Sequence, residues 1–369
     1  MSKSKPITYS QVGDNYDTKD PVKKAAQEAA KKTSSHLAKK GFQSVEDTRG
    51  ESAFVWEQGD VFMASVVEGL GTKNLIADKM EKITGKSYYD VIGHDTVATI
   101  INDLVTVGAK PLVVHAYWAI EDNSWLADKT RMEDFIGGWK DACDLAEATW
   151  GGGETATLKD IILPGTVDLG GSAVGIIKSK ERLITDKNLQ SGDRILLLGS
   201  NGVNANGVSL VRAVAKGLNE GFGTKIKNGK TFGEEALTKT NIYAKLVQNL
   251  LDENIAIHYI SNITGHGLRK IMRARGNFTY TIEKLFDPQE VFSFIQKEAN
   301  LSDYEMYQTF NMGQDYALFL PQSDIQKAQE IVRENGFHSI HVGFVKEGER
   351  QVIIAPKGLT YKGETLNLR

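Results

Sequence analysis

Short apolar runs closed by glycine recur along the chain: Val61-Phe62-Met63-Ala64-Ser65-Val66-Val67 leads to Gly69, and Ile195-Leu196-Leu197-Leu198 to Gly199. Runs of this length, rich in strand formers, predict strands. Apolar positions three and four apart predict helices over 22–40, 95–109, 132–148 and 206–218. In 95–109, Val97, Ile100, Ile101, Leu104 and Val105 form one buried stripe, with Asp95 or Thr96 as cap and Gly108 and Pro111 as stop. At about 100° per residue, Asp95, Thr99, Asn102 and Thr106 gather on the opposite face. Such a face belongs to any surface helix, or to a site if further carboxylates point at it. Alternating strands and helices predict an α/β (α+β) chain. The polar passage 187–193 precedes a second strand-and-glycine cluster, so the expected division is 1–188 and 189–369.

Composition narrows the class. Lys+Arg 44 against Asp+Glu 47 gives a formal charge of -3, which argues against a nucleic-acid partner held by bulk electrostatics. No apolar stretch approaches the ~20 residues of a spanning helix, and no apolar segment follows Met1 as a secretory signal would require. The single cysteine, Cys143, excludes an internal disulfide and a multi-cysteine metal site, so a reducing cytoplasmic setting is expected. The lysines at 23, 24, 31, 32, 39 and 40 read as a solvated helix face.

The 36 glycines are clustered, which suggests close backbone approach to a ligand. Three carboxylates are expected at glycine-flanked turns: Glu68 before Gly69-Leu70-Gly71-Thr72-Lys73, Glu154 after Gly151-Gly152-Gly153, and Asp168 before Leu169-Gly170. Magnesium takes hard oxygens, commonly one or two carboxylates plus phosphate oxygens, and Lys73 would supply counter-charge to a phosphate. There is no Walker loop: Gly223 to Gly229-Lys230-Thr231 has one intervening residue too many. Gly151 to Ala156 fits the loose dinucleotide pattern without an apolar helix after it. The loop 199–207 leads into a helix whose N-terminal amides suit an anion or simply cap a turn, and His266 in Thr264-Gly265-His266-Gly267 is either a structural imidazole or a general base.

The order of these segments resembles the aminoimidazole ribonucleotide synthetase (phosphoribosylformylglycinamidine cyclo-ligase) family over nearly the full length. The resemblance is carried by Gly69-Leu70-Gly71-Thr72-Lys73, Gly93-His94-Asp95-Thr96-Val97-Ala98 with Asn102-Asp103-Leu104, Gly108-Ala109-Lys110-Pro111-Leu112, Gly152-Gly153-Glu154-Thr155-Ala156, and Asp168 with Val174-Gly175. Asn206-Gly207, Ser209-Leu210-Val211-Arg212, Ile242-Tyr243, Thr264-Gly265 and Glu305-Met306-Tyr307 with Thr309-Phe310-Asn311 continue it. It implies two tandem α/β domains, an N-terminal sheet pairing across a homodimer, and ATP with Mg2+ bound without a Walker loop. It implies ATP-dependent cyclisation of formylglycinamidine ribonucleotide to aminoimidazole ribonucleotide. By carry-over, Glu68, Asp95, Asn102 and Glu154 would hold the metal, and Gly69, Gly71, Thr72, Lys73, Gly152, Gly153 and Thr155 the nucleotide. Lys73, Asp95 and Asp168 would be catalytic, and Asn204, Asn206, Thr264 and His266 would face the substrate.

The chain departs from the family where positive charge is usual. Asn204 and Asn262 stand where histidine is common, Asn241 and Gln308 where arginine is, with His266 or Arg269 as expected compensation. Val67-Glu68 replaces the usual Thr-Asp, and Thr157-Leu158-Lys159 the usual Glu-Met-Pro. Two other readings are open: a kinase or synthetase of the same superfamily with another substrate, or a silent nucleotide-binding paralogue. Selenophosphate chemistry is disfavoured by the absence of a cysteine near the first glycine loop.

Overall fold

In the computed structural model, which describes residues 16–366, the strand and helix patterns separate into two sheets. The chain enters through α1 (Tyr16–Lys32) and a single turn, α2 (Ser35–Ala38). The helix expected over 22–40 therefore breaks at Thr33-Ser34. There the amides of Thr33 and Ser34 bond carbonyls three residues back, and the Ser34 hydroxyl donates to Glu46 and accepts from Arg49.

β1 (Gln43–Ser44), β2 (Phe54–Gln58), β3 (Val61–Gly69), β4 (Lys110–Ile120), β5 (Thr149–Thr157) and β6 (Val167–Ile177) form the first sheet in the order β1-β2-β3-β6-β4-β5. Neighbours are antiparallel except β4 and β5. Phe62, Ala64 and Val66 alternate into the core under the helices, as the period of two requires. The helices of this half are α3 (Asn74–Thr84), α4 (Tyr89–Leu104) and α5 (Lys129–Leu145). α4 and α5 cross closely because Gly93 meets Gly138. A Cβ at Gly93 would lie 2.3 Å from the Phe135 carbonyl oxygen, so only glycine fits.

Two expectations are corrected here. The glycines at 151–153 form no loop: they lie inside β5, and Gly153 is required because a Cβ there would sit 2.2 Å from the Ala116 carbonyl oxygen across the β4–β5 pairing. Glu68, Glu154 and Asp168 are accordingly strand residues and not turn residues. The helix expected to start at Asp95 starts at Tyr89, so Asp95 lies in its second turn and caps nothing.

The second sheet holds β7 (Arg194–Gly199), β8 (Tyr259–Asn262), β9 (Phe278–Ile282), β10 (Gln314–Leu320), β11 (Ser339–Glu347), β12 (Gln351–Ile354) and β13 (Leu359–Lys362), in the order β13-β12-β9-β11-β7-β10-β8. Ile195 to Leu198 of β7 are fully buried, which accounts for their unbroken apolar run. Helices α6 (Val208–Lys216), α7 (Phe232–Ala236), α8 (Ala244–Asp252), α9 (Glu290–Ala299), α10 (Asp303–Thr309) and α11 (Ile325–Glu334) belong to this half. Among the described residues no helix is long and apolar enough to cross a membrane.

The two halves meet along α4. Its polar face, which resembles that of any surface helix, is buried: Asp95, Asn102 and Thr106 are covered, and Thr99 is only partly open. The covering is polar and specific. Lys73 Nζ donates to Asp95 Oδ2 at 2.5 Å and to the Thr238 carbonyl at 3.0 Å, while the Thr240 amide donates to Asp95 Oδ1 at 2.9 Å. His94 Nε2 donates to the Thr240 carbonyl at 2.8 Å. Asn102 donates to the Asn241 carbonyl at 2.7 Å and accepts from the Tyr243 amide at 3.0 Å, and the Tyr316 hydroxyl donates to the Asn102 carbonyl. A helix polar on one side and apolar on the other thus ends up buried on both.

Candidate active site at the domain junction

At one end of this seam, the C-terminal end of β3 and the C-terminal half of α4 open into a cavity of about 300 Å³. The first domain supplies Glu68, Gly69, Thr99 and Asp103, and the segment before β2 supplies Gly50, Glu51 and Ser52. The second domain supplies Ala205, Asn206, Thr264, Gly265, His266, Lys270 and Arg273, and α1 lays Lys23 and Gln27 across the mouth.

Glu68 reaches the cavity because it falls on the same alternate set of β3 as Phe62, Ala64 and Val66, facing α4. Burial, and then the nearby Asp103 carboxylate, hold its pKa above the usual carboxylate range, with Lys270 opposing. Asp103 accepts from Asn262 Nδ2 at 2.7 Å. Across the cavity, the 3₁₀ turn Gly267–Met272 sets side chains three apart in line, so Lys270 and Arg273 share a row and Arg269 falls on another. Arg273 donates to Ser52 Oγ at 2.9 Å and the Gly50 carbonyl at 2.8 Å, and lies 3.3 Å from Glu51. Lys270 is only 7% exposed, and burial, then Arg273, pull its pKa down to about 8.

Of the residues singled out in the sequence, Glu68, Gly69, Asn206, Thr264 and His266 line this cavity. Asn204 does not: with φ of 59° it turns inward, and its Nδ2 donates to Asp315 Oδ1 at 2.6 Å. Lys73, Asp95 and Asn102 lie behind the cavity wall in the seam, their polar atoms bonded to one another and to 238–243. Gly71 and Thr72 form the turn between β3 and that seam. Gly152, Gly153, Glu154 and Thr155 are exposed on β5, and Asp168 is exposed between the buried Val167 and Leu169 of β6; none borders the cavity.

His266 is a poor candidate for compensating charge or for a general base. Burial, and then Lys270 and Arg269, lower its pKa far enough to keep the imidazole neutral; its Nε2 lies 3.8 Å from Asp20. Nor does Arg269 compensate. Its guanidinium donates to the His266, Gln308 and Thr365 carbonyls, at 3.2, 3.1 and 2.6 Å, and holds the chain together. Sequence reasoning missed Lys270, Arg273 and Asp103 as cavity residues. The basic spacing at 270 and 273 was the available signal, but only a turn of period three makes it meaningful.

A larger cleft of about 770 Å³ lies between α3, the 163–166 loop and α6, lined by Lys79, Lys82, Arg212 and Lys216 among apolar groups. Asp78 and Glu220 also line it, but it contains none of the resemblance motifs' acids.

Comparison with known proteins identifies this architecture. Residues 50–177 match the N-terminal domain, and 190–355 the C-terminal domain, of AIR synthase related proteins. The phosphoribosylformylglycinamidine cyclo-ligase of Methanococcoides burtonii is 34% identical, the match spanning 76% of this chain and 80% of that protein. The cyclo-ligase of Carboxydothermus hydrogenoformans is 33% identical over 79% and 83%. The chain belongs to the phosphoribosylformylglycinamidine cyclo-ligase family. In fold it is similar to HypE of the HypE–HypF complex, with TM-score 0.60 and 18% identity over 85% of this chain and 92% of that one. Thermotoga maritima PurL complexed with ADP gives 0.55 and 16% over 86% and 46%.

Proposed function

We propose that this cavity carries out the ATP-dependent ring closure of the cyclo-ligases. ATP phosphorylates the formyl oxygen of formylglycinamidine ribonucleotide, releasing ADP; an amidine nitrogen then attacks the activated carbon, and phosphate leaves as aminoimidazole ribonucleotide forms. The observation that carries the reading is 34% identity over 76% of the chain to a curated cyclo-ligase. It is supported by a cavity where groups from both domains converge. Such chemistry is mainly positioning and neutralisation of charge on a phosphoryl group.

Glu68 and Asp103 fit a Mg2+ site. Among the described residues no cluster of three or more His, Cys, Asp or Glu forms a metal cage, but magnesium needs only one or two carboxylates with phosphate oxygens completing the shell. When bound, Mg2+ would neutralise the transferring phosphoryl oxygens. The turn Gly69, Gly71, Thr72 offers backbone amides to the nucleotide, and Asn206 and Thr264 orient the substrate from the second domain. Lys73, Asp95 and Asn102 act as positioning residues, fixing α4 against 238–243. In this reading residues 1–188 form the nucleotide and dimerisation domain and 189–369 complete the site.

Val67, Leu112 and Tyr117 are exposed apolar residues of the first sheet, a face suited to pairing with a second copy. A homodimer formed there would cover them and bring Glu154 and Asp168 near the partner sheet. Light scattering checks this: a monomer at micromolar concentration removes the dimer reading.

The function is tested by ADP release with Mg2+-ATP, with and without formylglycinamidine ribonucleotide, alongside assay of the diazotisable aminoimidazole. Coupled appearance of both is expected. ADP release indifferent to that substrate would favour another small-molecule kinase or synthetase of the superfamily. The internal bonding of Asn204 and Asn262, at positions where histidine is usual, is the observation behind that second reading.

A further inference from the structure

A phosphorylated ligand needs cations, and the positions where the resemblance leads one to expect them are amides here. The structure shows three of them, Asn204, Asn241 and Asn262, serving the fold. Asn204 bonds Asp315, Asn241 donates to the Gly199 carbonyl and the Tyr243 hydroxyl, and Asn262 bonds Asp103. Arg269 is bound to three backbone carbonyls, and Arg273 to the 50–52 segment.

Lys270 is different. The residue is more than nine-tenths buried and borders the cavity, yet among the described residues its ammonium makes no hydrogen bond and no ion pair within 4.0 Å. An ammonium on a largely buried side chain is poorly solvated, and a partner in the cavity would stabilise it. Glu68 and Asp103 lie across the same space and act on it electrostatically, but neither closes an ion pair. Glu68 and Asp103 would hold a divalent cation, and Lys270 would then give a bound phosphate group a second, protein-borne positive partner. This is the arrangement by which phosphoryl-transfer sites commonly place a metal and a lysine around the same oxygens.

We propose that Lys270, with Lys23 at the mouth, is the phosphate grip of this chain and replaces the basic residues lost at 204, 241, 262 and 308. The ligand class is a phosphate ester. Its source is either the 5′-phosphate of the ribonucleotide substrate or the polyphosphate of the nucleotide. The inference takes its ligand class from the function proposed above but does not depend on ring closure.

Calorimetric binding of ribose 5-phosphate and, separately, of Mg2+-ADP to the full chain separates the two sources. Lys270→Gln should weaken one of these at least tenfold and leave the other within about twofold, while Lys270→Arg restores most of the loss. Unchanged affinity for both probes in Lys270→Gln would overturn the proposal and leave Lys270 as a counter-charge to Glu68 and Asp103. If that variant does not fold, the lysine ε-carbon resonance of Lys270 in the unaltered protein decides. A shift on adding either probe supports the grip, and no shift with either refutes it. Failure of the cyclo-ligase assay with retained Lys270-dependent binding would remove the function and keep the inference.

Discussion

The seam and the cavity are built from the same helix, and they treat charge in opposite ways. Along the seam every polar atom of Asp95 and Asn102 side chains meets a partner: Lys73, the Thr240 amide, the Asn241 carbonyl, the Tyr243 amide. At the cavity, Glu68 is pushed toward its neutral form, and Lys270 is largely buried with no bond to its ammonium among the described residues. Satisfied polar groups fix one arrangement of the two domains. Unsatisfied ones leave free energy for a ligand to recover.

The largest effect should come from breaking the seam. Asp95→Ala leaves the Lys73 ammonium fully buried without its carboxylate and the Thr240 amide without an acceptor. Removing one member of a buried pair costs about 3–5 kcal/mol, enough to consume much of a domain's stability. Urea unfolding should show a midpoint lowered accordingly. A midpoint within experimental scatter of the unaltered protein would mean that the seam is not what joins the halves.

Glu68→Gln should do the reverse, with activity falling at least a hundredfold while urea stability stays level or rises, because a buried like-charge contact with Asp103 is removed. Loss of stability comparable to Asp95→Ala would merge the two regions into one structural class.

This division shows how much was legible from the chain. The tandem α/β layout, strand β3 with its carboxylate and the second-domain Thr264-Gly265-His266 turn follow from period and glycine placement. The apolar stripe of α4 was legible too, but the burial of its polar face was not, because periodicity reports which face is apolar and says nothing about what covers the polar one. Asp95 and Asn102 look identical in sequence whether they face water, metal or a second domain 140 residues on. The 151–155 glycines misled for a related reason: close packing between strands and close approach to a phosphate both demand a missing Cβ. Lys270 was hidden by a 3₁₀ turn whose row of three differs from the helical period.

Titration sharpens the contrast at smaller cost. Glu68 has a folded pKa raised above its unfolded value, so the native state holds a proton that the unfolded state has released. Stability without metal should therefore fall as pH rises from about 4.5 through the folded pKa. Asp315, buried and raised to about 7 mainly by desolvation, contributes with the same sign. Lys270, lowered to about 8, works the other way: the unfolded state holds the extra proton between about 8 and 10.5, and stability recovers across that window. Glu68→Gln should flatten the acid-side slope by its share, and Mg2+, which favours ionised Glu68, should also flatten it. An unchanged slope in both cases would show that Asp315 alone carries the pH dependence.

The smallest effects are expected on the exposed sheet. Glu154 and Asp168 lie outside the cavity, in strand positions open to solvent, so in one chain taken alone Glu154→Gln and Asp168→Asn should each alter activity and urea midpoint by less than about twofold and 0.5 kcal/mol. A dimer formed over Val67 and Tyr117 changes that expectation, because the partner sheet would enclose both carboxylates. The two outcomes separate by concentration. If either variant loses activity more than tenfold under dimeric conditions, the carboxylates work at a site completed by the second copy. If the variants stay silent in a proven dimer, the glycine-flanked acids of β5 and β6 are there for strand packing, and the reacting centre lies wholly between Glu68 and Lys270.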